Sequence, residues 1–133
     1  MNSLRIWIIL SWIALPTVMF GVYSLLRLLN RGDALTQFQI DCFRAGHVHA
    51  GVLLLMSLLY YIFMDRTALS SSIKRAACVA LFVGILAQSG GFFLHMTLGK
   101  PNQASVGTNV TIAGAALLAC AVIVLVYGLI TTR

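Results

Sequence analysis

The sequence predicts an all-α integral membrane protein, a bundle of four spanning helices. Three observations carry this. Of 133 residues, 60% are hydrophobic and 9% charged, a balance far from that of soluble domains. Four apolar runs, 6–29, 45–64, 76–98 and 108–130, each reach the roughly 20 helical residues that cross a bilayer core. Between them, 30–44, 65–75 and 99–107 hold most of the charge and the turn residues, among them Asn30-Arg31-Gly32-Asp33, Ser70-Ser71-Ser72 and Lys100-Pro101-Asn102. Residues 1–133 therefore read as a single four-span domain, with no soluble domain expected.

The first run is too long for a cleaved signal peptide, and Arg27-Leu28-Leu29-Asn30-Arg31 lacks a small-residue cleavage pattern. It reads as a retained span, kinked at Pro16, which membrane helices tolerate. The second run contains the only two histidines close together in sequence. The third and fourth carry small residues at Gly84, Gly90, Gly91, Ala113-Gly114-Ala115-Ala116 and Ala119, as helix contacts in membranes prefer. The fourth has no ionisable side chain between Thr108 and Thr131 and reads as scaffold. Tyr60 and Tyr61, at the end of the second run, read as interfacial aromatics, and Trp7 and Trp12 as packing or interface residues.

The net charge of +6 does not point to nucleic acid, because the bases lie near span ends. They read as headgroup anchors. Arg5, Arg66, Lys74, Arg75 and Arg133 fall on one side; Arg27, Arg31, Arg44 and Lys100 fall on the other, partly offset by Asp33 and Asp41. The small excess favours both termini inside, in a cell inner (plasma) membrane. Asp33, Asp41 and Asp65 are the only acids, none within a run, which argues against a carboxylate-based proton-coupled transporter. Cys42, Cys78 and Cys120 form no CxxC or CxxCH, so neither a thiolate metal knuckle nor covalent heme attachment is expected.

The chemistry concentrates in Gly46-His47-Val48-His49-Ala50-Gly51. Between residues 45 and 64 these two histidines are the only ionisable groups apart from two tyrosines. Ionisable side chains within a span are costly and mark function. Two positions apart on a helix means about 200° of rotation, so His47 and His49 face opposite sides. Gly46 and Gly51 remove bulk where something large and flat can lie against the backbone. The topology returns the third span to the same membrane side, so His95, near its end, is expected within roughly 10 Å of the same face as the pair. Gln88 is expected to share the interior with His95.

Three readings compete. The histidines can be structural, hydrogen-bonding to neighbouring helices. They can bind copper, zinc or iron, although His47 and His49 point too far apart to chelate one ion within one chain. Or they can ligate heme, for which imidazole is a common axial ligand. Gly46, Gly51, Gly90 and Gly91 then offer space, and Arg27, Arg31, Arg44 and Lys100 offer cations for the propionates.

The same residues carry a resemblance. Gly46 to Gly51 resembles the GHVHxG signature of the catalytic subunit of C-type heme-copper oxidases, with related forms in nitric oxide reductases. In that family the two histidines of the pair bind different hemes on opposite sides of one helix. Arg44-Ala45-Gly46-His47 also resembles the family's RxxH pattern, whose histidine is the other axial ligand of the low-spin heme. The family's subunit is built of about twelve helices in three arcs of four with pseudo-threefold symmetry. This chain matches one arc in size. It lacks the adjacent His-His pair of the copper site and any evident His-Tyr cross-link, so a complete oxygen-reducing centre in one chain is not implied. The resemblance implies instead a b-type heme ligated by His47 and His49, possession of a redox partner, and a homotrimer that completes the twelve-helix ring. His95 is left as a partner to a ligand, a ligand to another metal, an alternative axial ligand or a packing residue. The alternatives are a copper-binding or other metal-binding membrane protein, or a structural subunit of a respiratory complex.

Overall fold

The computed structural model describes residues 3–30 and 35–132. Arg31, Asp33 and Arg133 lie outside them. The chain forms four helices, α1 (Ser3–Asn30), α2 (Gln37–Arg66), α3 (Ser71–Leu98) and α4 (Val106–Thr131). Each is long and apolar enough to cross a membrane, so this is an all-α, multi-pass membrane protein. α1 runs continuously through Pro16.

α2 begins earlier than the hydropathy pattern indicates. Residues 37–44, expected in a connection, are helical. The cause is a capping box: the Thr36 hydroxyl accepts from the Gln39 N–H at 3.3 Å, and the Gln39 side chain accepts from the Thr36 N–H at 3.0 Å. Gln37 then reaches Asp41 one turn on, at 2.8 Å. The pair of histidines consequently sits deep in its helix. His47 lies ten residues beyond Gln37, about 15 Å along the axis at helical rise.

Helices adjacent in sequence pack on one another, whereas α1 and α4 make no contact among the described residues. The bundle is therefore an open row. Its tightest contact is α3 on α4. Gly84, Gln88, Gly91 and His95 share one face of α3 by their spacing of three and four. Opposite them run Gly107, Thr111, Gly114 and Leu118. A Cβ on Gly91 would strike Thr111 and the Gly107 carbonyl; one on Gly107 would strike the His95 backbone. Glycine is required here for approach of two backbones.

The packed core lies toward the α2–α3 turn, built from Leu54, Tyr60, Tyr61, Met64, Cys78, Leu81, Ile85 and Ala121. Tyr60 and Tyr61 are thus not interfacial aromatics; both are buried, at 5% and 0% exposure. Aromatic rings near a span end fit either place, and here the helix rotation turns them inward. The Tyr60 hydroxyl donates across the bundle to the Ala121 carbonyl at 2.9 Å. Tyr60→Phe is expected to lower stability by about 0.6 kcal/mol, the average for such interhelical bonds, read by thermal unfolding in detergent.

Candidate heme-ligand site

α2 crosses α3 at Gly46. A Cβ there would lie 3.0 Å from the Ser89 carbonyl oxygen, 3.0 Å from the Phe93 ring and 3.1 Å from Phe92. The space beside Gly46, expected to receive a flat group, is filled by α3. Gly91 is likewise filled, by α4. Of the four glycines that promised room, Gly90 is the open one, with nothing within 4 Å of its missing side chain. Gly51 faces α1, where a Cβ would meet Val18 at 3.5 Å.

With Gly46 on the contact line, helical rotation puts His47 and His49 on its two flanks. His47 turns toward α1. Its ring lies over Gly21, so close that a Cβ there would be 2.9 Å from Nδ1, and it stacks on Phe43 with centroids 6.1 Å apart and planes at 15°. Here α1, α2 and α3 enclose a cavity of about 400 Å³, open on one side, lined by Gly21, Phe43, His47, Ala50, Ser89, Gly90 and other residues, most of them apolar. The volume falls in the range of small-molecule sites. Ser89 is 4% exposed, and its hydroxyl has no hydrogen-bond partner.

His49 turns the other way, against Phe92 of α3, with ring centroids 5.0 Å apart. Its Nδ1 lies 2.7 Å from the Ala45 carbonyl oxygen. A carbonyl only accepts, so Nδ1 carries a proton, and in the neutral ring the lone pair is on Nε2. Metal-ligating histidines are oriented in this way, by a carbonyl on the nitrogen away from the metal.

His95 does not join the pair. It lies three residues from the end of α3, edge-on to Phe38 at 5.1 Å. Phe38 precedes His47 by nine residues on α2, about 13 Å along the axis. Phe92, which His49 touches, precedes His95 by three residues on α3, about 4.5 Å along the axis. His95 Nδ1 instead pairs with Ser105 Oγ at 2.7 Å, across the turn from α3 to α4. Among the described residues, no three histidine, cysteine or acidic side chains converge on a metal position. A three-histidine centre of His47, His49 and His95 is therefore not assembled within the chain. Gln88 does share a face with His95, and that face packs on α4, where Thr111 reaches the Gln88 carbonyl at 3.4 Å.

Arg44, Arg27 and Lys100 are all exposed. Arg44 stands about one turn before His47, Arg27 lies in the last turn of α1, and Lys100 follows the Gly99 cap of α3. Ser89 and the rings of Phe43, Phe92 and Phe93 belong to the site but were not legible as such. The sequence signal for Ser89 is slight, a hydroxyl before Gly90-Gly91 in an apolar run. Comparison with known protein families, with curated proteins and with solved structures finds no match for this chain.

Proposed function

We propose that this protein binds b-type heme through His47 and His49 and serves in membrane electron transfer. The observation that carries the reading is the placement of the two imidazoles. They stand on opposite flanks of α2, one in a half-open apolar cavity and the other with Nδ1 tied to a carbonyl and Nε2 available. The residues present fit the group. The cavity has space at Gly90, an unpartnered hydroxyl at Ser89, and cations toward the same end of the bundle. Heme would supply a one-electron iron couple, and with His47 and His49 holding the iron no coordination position would stay open, which would favour electron transfer over gas chemistry.

Opposed imidazoles on one helix cannot grip one iron, so each heme takes His47 from one copy and His49 from the next. The open row of helices supports this, because α1 and α4 are left without each other as neighbours. A head-to-tail contact that closes gives a ring, and a homotrimer of twelve helices is the assembly proposed. An inner plasma membrane with both termini inside accords with the charge on each side, and the electrons imply a redox partner.

The test is an absorption spectrum of detergent-purified protein, oxidised and dithionite-reduced, with a pyridine hemochrome assay. Sharp six-coordinate b-type bands at about one heme per chain are expected for a ring of shared sites. Bound copper without a Soret band would replace the reading with metal binding. Neither cofactor, after reconstitution with heme, would leave a structural subunit. Gly90→Leu sharpens the test. Its Cβ meets no neighbour and points to open space, so the melting temperature should hold, while heme content falls several-fold because the side chain takes up room in the cavity that Gly90 lines.

A further inference from the structure

A second cavity lies at the other end of the bundle, where α1 begins and α2 ends. Its volume is about 370 Å³. Arg5 of α1 and Arg66 of α2 line it, and both side chains are exposed. Arg66 stands roughly 28 Å along α2 from His47, so this site is separate from the histidine pair. Its walls change character with depth. Ile8 follows Arg5 by three residues and Ile62 precedes Arg66 by four. Each isoleucine therefore sits about one turn further into the bundle, on the face that carries its arginine. Both line the cavity, as do Leu4 and Tyr61, which are buried. The mouth is net positive. Asp65 lines it too, but the Lys74 ammonium donates to the Asp65 main-chain carbonyl at 2.9 Å, so three cations stand against one carboxylate. The Arg66 guanidinium lies 5.9 Å from the centre of the Phe63 ring, a cation–π contact that restrains it.

We propose that this cavity holds one anionic phospholipid, with its phosphate between Arg5 and Arg66 and the start of an acyl chain against Ile8 and Ile62. A guanidinium presents paired N–H groups that match phosphate oxygens, and basic pockets between spanning helices take anionic headgroups. The excess of cations at the mouth repels the ammonium of a zwitterionic headgroup. Phosphate is the chemistry a lipid shares with a soluble anion; the two isoleucines below the arginines assign the lipid. The cavity also sets a site apart from diffuse attraction. Arg75, in the first turns of α3, adds charge to the same end of the bundle but does not line the cavity.

The test is binding of radiolabelled phosphatidylglycerol to the tag-immobilised full chain in detergent micelles, a readout that does not depend on heme. About one lipid per chain is expected, displaced by unlabelled phosphatidylglycerol and poorly by phosphatidylcholine. Arg5→Gln and Arg66→Gln should each weaken binding about fivefold. Asp65→Asn, which removes a like charge from beside the phosphate, should tighten it, and Arg75→Gln should change it little. All four side chains are exposed, so these variants should fold. A loss from Arg75→Gln equal to that from Arg5→Gln would mean diffuse attraction and overturn the proposal. So would equal displacement by the two lipids. Displacement by inorganic phosphate, at ionic strength matched with chloride, would mark a soluble-anion site instead. Weaker binding in Asp65→Asn would make the carboxylate the recognising group, which also contradicts the assignment.

Discussion

Alanine at His47 or at His49 is expected to strip the protein of heme while leaving its helices intact. Losing a residue that merely supports a metal ligand costs about 10- to 100-fold in affinity, so loss of the ligand itself should cost at least as much. Heme content per chain should therefore fall by at least about tenfold in either single variant. The fold should survive because neither side chain belongs to the packed core, which lies toward the α2–α3 turn. Circular dichroism of each variant should match the wild type. His95→Ala is the contrast. It loses the bond to Ser105, worth about 1 kcal/mol, but keeps its heme, because His95 does not line the cavity beside His47. If His95→Ala lost heme and His49→Ala kept it, the ligand assignment would be wrong.

Gly114→Val should be the most damaging substitution outside the site. A Cβ on Gly114 would strike the backbone nitrogen and Cα of Gln88, with the Ala87 carbonyl carbon 2.9 Å away. Backbone atoms of a neighbouring helix cannot rotate aside as a side chain can, so α3 and α4 must separate along their most intimate contact. Overpacking of this kind costs about 3 kcal/mol. Unfolding of the purified variant in mixed micelles should show that loss. Gly90→Ala, one position before the equally crowded Gly91, should be neutral within about 0.5 kcal/mol, because its Cβ meets nothing. Equal effects at the two positions would contradict the assigned rotation of α3.

The four spans were legible because bilayer thickness dictates a length of apolar run that little else produces. The start of α2 was not, since hydropathy registers Asp41 and Arg44 as connection while Thr36 and Gln39 cap a helix that contains them. That extension sets His47 and His49 about three turns inside their helix rather than at its start. The opposition of His47 and His49 was legible, being a property of helical rotation alone. What fills the space beside a glycine was not: Gly46, Gly90 and Gly91 look alike in sequence, and only the crossing of α2, α3 and α4 separates the filled ones from the open one. Tyr61 and Ser89 likewise turn inward for reasons that lie in the neighbouring helices.

The central claim is that one heme is held by His47 of one copy and His49 of another. Co-expression of His47→Ala and His49→Ala chains, purified together through different affinity tags, tests it directly by the reduced-minus-oxidised heme spectrum. Neither variant alone should hold heme. In the mixture, a site is restored wherever an intact His47 meets an intact His49 from the next copy. Purification through both tags keeps only mixed trimers, each with one restored junction of its three, so about a third of the wild-type signal is expected. A mixture as colourless as its two components, beside a wild type that holds heme, would contradict ligation shared between copies.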